Sequence, residues 1–136
     1  MSYDSYSAKV QKAIGFAEIS ALKRVEGLMK NRIHNRGQNS EDTSIGTYSV
    51  GWAKKRKAKG RQVAYVDLQV EGNLIRGYSV GIFEGQNALG FTSELYPLIR
   101  EKQEENYGSI FNLTPTEKEQ MNKAFMTELK IQLNVT

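Results

Sequence analysis

Apolar residues recur at intervals of three and four between positions 7 and 33, at Val10, Ala13, Ile14, Ala17, Ala21, Val25, Leu28 and Met29. That spacing places them on one stripe of a helix, and Ser5 or Ser7 is suited to cap its start. Phe16 and Ile19 fall off the stripe, among Lys12, Lys23 and Lys30. They read either as isolated surface apolars, which are common, or as a contact with another subunit. The period then stops. Residues 35–47, NRGQNSEDTSIGT, are rich in Gly, Asn, Ser and Asp and predict a loop long enough to be functional.

Beyond the loop the period changes to two. Tyr48, Val50 and Trp52 alternate with Ser49 and Gly51, predicting a short strand, and residues 63–70, VAYVDLQV, predict another. Between them lies KKRKAKGR, residues 54–61, with six bases in eight positions. Tyr78, Val80 and Ile82 alternate with Ser79 and Gly81, residues 84–87 supply a turn, and residues 88–91 return; this is the clearest hairpin of the chain. Gly77, Gly81, Gly85 and Gly90 point to bulges or close backbone approach within it.

A helix is predicted from Ser93, with Pro97 tolerated in its first turn, Leu95, Leu98, Ile99 and Tyr107 on its apolar side, and Gly108 as its stop. A last helix begins with Thr114 as N-cap, Pro115 at the first helical position and Glu117 three residues after the cap. Met121, Ala124, Phe125 and Leu129 form its expected buried stripe. Helices thus flank an antiparallel sheet and do not alternate with parallel strands. The expected fold is α+β, an antiparallel sheet with a β-hairpin packed by a long N-terminal helix and two C-terminal helices, as a single domain over residues 1–136.

Composition narrows the chemistry. The chain is 39% hydrophobic and 25% charged, in the range of globular domains. It has no cysteine, which removes disulfides, thiolate metal sites and thiol nucleophiles. Its one histidine, His34, excludes sites that need two imidazoles, HExxH among them. A Ser-His-Asp triad would rest on His34 alone, and no GxSxG accompanies it. At the end of the first helix His34 instead suits the negative end of the helix dipole.

Phosphate-binding glycine motifs are absent, and Glu101 with Glu104 or Glu105, interleaved with Arg100 and Lys102, reads as a solvated helix face. We therefore expect no enzyme activity, no catalytic or metal-binding residues and no cofactor. No apolar run approaches the length of a membrane span, so no membrane contact is expected. The first residues lack the charged and apolar regions of a secretory leader, which fits a protein made and used inside a cell or inside something assembled there.

The net charge of +4 conceals an asymmetry. Residues 1–61 carry 13 Lys and Arg against five acids, net +8, and residues 62–136 carry six against ten, net −4. Such a split fits attraction between faces of one domain, or a partner of opposite sign: nucleic acid for the basic half, or the same protein head-to-tail. Lys54, Lys55, Arg56, Lys57, Lys59 and Arg61 lie between Trp52 and Tyr65. Cations flanked by aromatics suit phosphate neutralisation with base stacking, and so a DNA contact; they equally suit a neighbouring protein or a solvated loop.

Read continuously, WAKKRKAKGRQVAYVDLQV (residues 52–70), EGNLIRGYSV, ALGF and EENYGSIFNLTPTEKEQM form an ordered pattern. It resembles the tail-completion or head–tail joining proteins of Mu-like and related tailed bacteriophages. The matching features are a basic segment ending in Gly-Arg-Gln ahead of a Val-Asp-Leu segment, the turn Gly72-Asn73-Leu74, the pair Gly90-Phe91, and Tyr107-Gly108 with residues 110–117 before the last helix. Glu71 stands where the family usually has Thr. The resemblance covers residues 48–125 and no catalytic motif.

This resemblance implies a structural virion protein at the neck or tail end, assembled in the host cytoplasm as one subunit of a homo-oligomeric ring. Its implied partners are other virion proteins, namely a tail terminator, tail tube or head connector, with DNA passing through the channel. Phe16 and Ile19 are the candidate subunit contacts. Residues 54, 55, 56, 57, 59 and 61 are the candidate contacts with DNA or a neighbouring protein. The alternative is a small basic nucleic-acid-binding protein.

Overall fold

The helical period of the first thirty residues yields α1, Tyr3–Lys30, in a computed structural model that describes residues 3–68, 76–91, 100–101, 104–105 and 108–134. The chain packs as two compact units. The first comprises Met1–Gly27, Ser79–Gly90 and Pro115–Thr136, the second Leu28–Tyr78 and Phe91–Thr114. Mixed α+β architecture, with a long N-terminal helix, an antiparallel hairpin and a C-terminal helix, is as the sequence predicts.

The buried line of α1 is narrower than the predicted stripe. In the first unit Ala13, Ala17, Ala21 and Val25 are buried, every fourth residue, whereas Ile14 is exposed and Val10 half-buried. Residues four apart advance by about 40° round a helix, so this line winds slowly along it. Three alanines on the line let neighbouring backbone approach closely. Against this helix lies the hairpin of β1 (Tyr78–Phe83) and β2 (Gln86–Phe91), joined by Glu84-Gly85 with φ of 52° and 78°. Two positive φ values match the turn whose twist suits a two-residue hairpin.

Acids of α1 hold the hairpin: the Val80 N–H donates to Glu26 Oε1 at 2.8 Å, and Asn87 Nδ2 donates to Glu18 Oε2 at 3.2 Å. The Phe83 ring lies across Gly90, where a Cβ would meet it at 2.9 Å, so close approach explains that glycine. The last helix, α3 (Pro115–Leu133), begins at the predicted proline directly after a buried Thr114, and Glu117 is buried as well. Its expected stripe of Met121, Ala124, Phe125 and Leu129 is only half-buried. The period is right, but the cover is incomplete.

The second unit begins at Leu28, in the last turn of α1, which then loosens into a π-helical turn, Asn31–Asn35, closed by Arg36 N–H on Asn31 O at 3.0 Å. Gly37 follows at φ 61°, and Gln38 N–H donates to Arg32 O at 2.9 Å, a glycine-ended helix stop widened by one residue. The predicted loop is drawn together by the antiparallel bridge Gln38–Ser44 and by Asn39 Oδ1, which accepts from the N–H groups of Glu41 and Thr43. Ile33, Ile45, Val66, Tyr78, Ile110 and Phe111 form the core of this unit. Tyr78, Phe91 and Phe111 pack as a triangle with ring centroids 5.6–5.8 Å apart.

Two expectations need correction. Residues 48–52 are not a strand: Ser49 caps a helix, α2 (Val50–Ala58), its Oγ accepting from Trp52 N–H at 3.3 Å. Five alternating residues yield to a serine cap followed by Ala, Lys and Arg, which are strong helix formers. Residues 63–68 are irregular, with Leu68 at φ 56°, while residues 69–70 lie outside the described residues. Gln62 Oε1 accepts from the N–H groups of Ala64 and Tyr65, which diverts donors that a ladder would use.

Of the helix predicted from Ser93, residues 92–99, 102–103 and 106–107 lie outside the described residues. Arg100, Glu101, Glu104 and Glu105 are helical, and the Gly108 N–H donates to Glu104 O at 2.8 Å. The predicted stop at Gly108 is therefore where the helix closes.

Candidate functional site

A dense polar cluster lies inside the second unit. Arg32, Ile33 and His34 are all buried, although three consecutive residues span about 200° of a helix's girth. All are enclosed because the helix ends within the unit. Arg32 donates from Nη1 to Gln38 O and Ile110 O at 3.2 and 3.0 Å, and from Nη2 to Asn112 O at 3.0 Å. Its cation thus ties the helix end to two separate loops by their carbonyls.

His34 is 1% exposed. Its Nδ1 is 2.9 Å from Asp67 O and its Nε2 is 2.9 Å from the Tyr78 hydroxyl. A carbonyl only accepts, so Nδ1 carries the proton and Nε2 accepts from Tyr78, a tautomer assigned by the partners. Burial holds the imidazole's pKa down at about 4, against weaker upward pulls from Asp67, so the ring is neutral. Both ring nitrogens are engaged in holding the fold.

Asp67 is the hub. Its Oδ1 accepts from Tyr48 Oη at 2.9 Å and from Arg56 Nη2 at 3.0 Å, its Oδ2 accepts from Gln62 Nε2 at 2.8 Å, and its own N–H donates to Tyr48 Oη at 3.1 Å. Arg56 also donates from Nε to Gln62 O at 3.1 Å and lies 4.3 Å over the Tyr48 ring. Burial pushes the Tyr48 phenol up to about 12, keeping it a donor to the carboxylate. The Arg56–Asp67 pair is enclosed, with side chains 2% and 7% exposed. Buried ion pairs persist only when their remaining hydrogen-bonding capacity is met, and here it is met by Tyr48 and Gln62.

This changes the basic segment. Arg56 faces inward and is no surface contact, because α2 turns one side to Asp67. Lys54, Lys55, Lys57, Lys59 and Arg61 are exposed, and none of the five makes an ion pair among the described residues. Lys55 Nζ stands 5.9 Å over the ring of Trp52, itself 41% exposed. A hollow of about 230 Å³ opens here, lined by Trp52, Lys55, Arg56, Ala58 and Lys59.

No protein family, curated protein or solved structure matches this chain. Of the candidate subunit contacts, Phe16 is 45% exposed with Lys12 Nζ 5.9 Å over its ring, while Ile19 is half-buried. The predicted carboxylate face divides: Glu101 and Glu105 are exposed, and Glu104 pairs with Arg100 and accepts from the Ile110 N–H at 3.2 Å. No cluster of metal-ligating side chains occurs among the described residues.

The sequence reading missed the hub. Its signal was present: Asp67 is the first acid after 24 acid-free residues and sits inside VAYVDLQV, an apolar run. A carboxylate in such a run needs a buried cation, and the basic segment, which ends six residues before it, is the nearest source of one.

Proposed function

We propose that this chain is a structural virion protein of a tailed bacteriophage, a neck or tail-completion component that acts as one subunit of a ring. The ordered sequence pattern over residues 48–125 supports the reading at the family level. The structural observation that carries it is the incomplete cover of the α1–hairpin–α3 unit. Tyr6, Phe16, Ile82, Met126 and Ile131 of that unit are exposed, and the α3 stripe is half-buried. A cleft of about 230 Å³ lined by Leu22, Met121 and Phe125 among others opens beside them. A neighbour in a ring would cover such residues, and ring closure needs two different patches to meet.

The polar cluster agrees with a structural part, since Arg32, His34, Arg56 and Asp67 bond to other parts of the same unit. Native mass spectrometry tests the ring: the purified chain is expected to form a discrete oligomer, and Phe16→Asp with Ile131→Asp is expected to leave monomers. A wild-type chain that stays monomeric at high micromolar concentration, alone and with tail-tube protein, overturns the reading. The second reading, a free nucleic-acid-binding monomer, is favoured by the exposed cations of α2.

A further inference from the structure

The exposed side of α2 is rich in cations and carries no acid. From residue 43 to residue 66 there is no acid, and the next one, Asp67, is closed off and neutralised by Arg56. The remaining five cations, Lys54, Lys55, Lys57, Lys59 and Arg61, therefore project into solvent with no internal counter-charge among the described residues. On a helix of 100° per residue, Trp52, Lys55 and Lys59 share one flank, and Lys54 and Lys57 share the other. Two cationic rows thus border an outward ridge of Gly51 and Ala58, and Val50, within the row of Lys54 and Lys57, is 89% exposed.

The occupant follows from charge accounting. An acidic face on a second copy is the first alternative, given the net −4 of residues 62–136. Yet among the described acids of that half Asp67 pairs with Arg56, Glu104 with Arg100 and, at the surface, Glu119 with Lys123, while Glu128 accepts from Gln132. Glu117 is buried. The other exposed acids among the described residues of that half, Glu84, Glu101 and Glu105, sit on a hairpin tip and a helical turn and are not pooled on one element. Protein interface cores are also depleted in lysine, whereas phosphate backbones are neutralised by Lys and Arg. An exposed indole beside them adds a face on which a base can stack.

We propose that α2 and Arg61 form a sequence-independent binding surface for the phosphate backbone of nucleic acid, with Trp52 at its edge. Arg56 is no part of the contact. It anchors the helix to Asp67 and so holds the two cationic rows outward. The surface does not depend on ring formation, and a monomer presents it in full.

Fluorescence polarisation tests this with a labelled mixed-sequence DNA duplex and its single strand, titrated with the full chain across a salt series. Each phosphate neutralised contributes about −0.9 to the slope of log K against log salt on duplex, so four or five contacts give roughly −4. Lys54→Gln, Lys55→Gln, Lys57→Gln and Lys59→Gln together, with Arg56 kept, should flatten the slope to near −1 and lower affinity at least tenfold. Circular dichroism and the melting temperature of this variant should match wild type, because none of the four lysines is buried.

Trp52 is the only tryptophan, so its intrinsic fluorescence reports the site, and quenching by the single strand locates the base contact. The proposal is overturned if wild type fails to bind either DNA at low salt, or binds as tightly after the four substitutions. Loss of self-association in the variant, with DNA binding unchanged, assigns the surface to a neighbouring copy and equally overturns it. Oligomeric state, measured separately, decides the ring reading without reference to these outcomes.

Discussion

Arg56 and its neighbours Lys55 and Lys57 are adjacent in sequence and alike in charge, yet one is 2% exposed and the others face water. Sequence composition sees only the run. What separates them is a planar, always-charged guanidinium able to bond Asp67, Gln62 and the Tyr48 face at once, which an ammonium cannot reproduce. His34 shows the same gap between type and role. Its place at the first helix's end was legible, but it is enclosed and neutral, whereas a helix terminus was expected to use its charge.

A sharp pH dependence follows from that neutrality. The folded imidazole protonates only near pH 4, against 6.5 in the unfolded chain. Between those values the unfolded state binds a proton that the folded state refuses, so stability is complete above about pH 6.5 and falls as pH drops toward 4. The loss approaches about 3 kcal/mol at roughly 1.4 kcal/mol per pH unit. In urea titrations, the stability gap between wild type and His34→Phe should therefore narrow by up to that amount on going from neutral pH to about pH 4. Titration of carboxylates is common to both proteins and cancels. A gap independent of pH would show that His34 is not held neutral.

At the level of elements, the long helix, the hairpin and the proline-led last helix were all legible, because each combines a sustained period with a cap or turn of defined chemistry. The basic segment was placed in a loop after a strand because Tyr48, Val50 and Trp52 happen to alternate, and the serine that starts α2 was counted as part of that alternation. The π turn left no mark in the period at all. It depends on Gly37, whose positive φ and tight surroundings end the first helix. A Cβ there would meet Tyr65 Cδ2 at 2.2 Å and Val66 O at 2.6 Å. Gly60 has a similar φ of 72° with nothing within 4 Å. Gly60→Ala should thus cost only the backbone term of about 1–2 kcal/mol, and Gly37→Ala clearly more, as read from chemical denaturation midpoints. Equal costs at the two positions would mean that packing at Gly37 is unimportant.

Over the whole molecule burial is unevenly spread: in the first unit it falls on α1, where Ala17 and Val25 are at 1% exposure or less. The second encloses Arg32, Ile33, His34, Val66 and Ile110 at 1% exposure or less, whereas α3 of the first has no fully buried apolar residue. Hydrogen exchange on the dilute chain should accordingly be slowest around residues 32–38 and 110–111 and faster along α3, with α3 slowing markedly in the assembled oligomer. Unchanged α3 exchange on assembly would move the subunit contact elsewhere. Neither the division into units nor the degree of closure was legible in the sequence, since both depend on contacts between distant segments.

That division has a consequence for synthesis. The backbone passes between units at residues 27–28, 78–79, 90–91 and 114–115, so no single cut releases either one. Every segment of the second unit has been made once Thr114 is added, while the first still awaits the segment that begins at Pro115. During translation α1 and the hairpin are therefore made before α3, the remaining segment of their unit. A ribosome-stalled chain ending near residue 114 would hold a nearly closed interior alongside a lone helix and hairpin. Apolar surface exposed at such a stage is what chaperones and premature association act on.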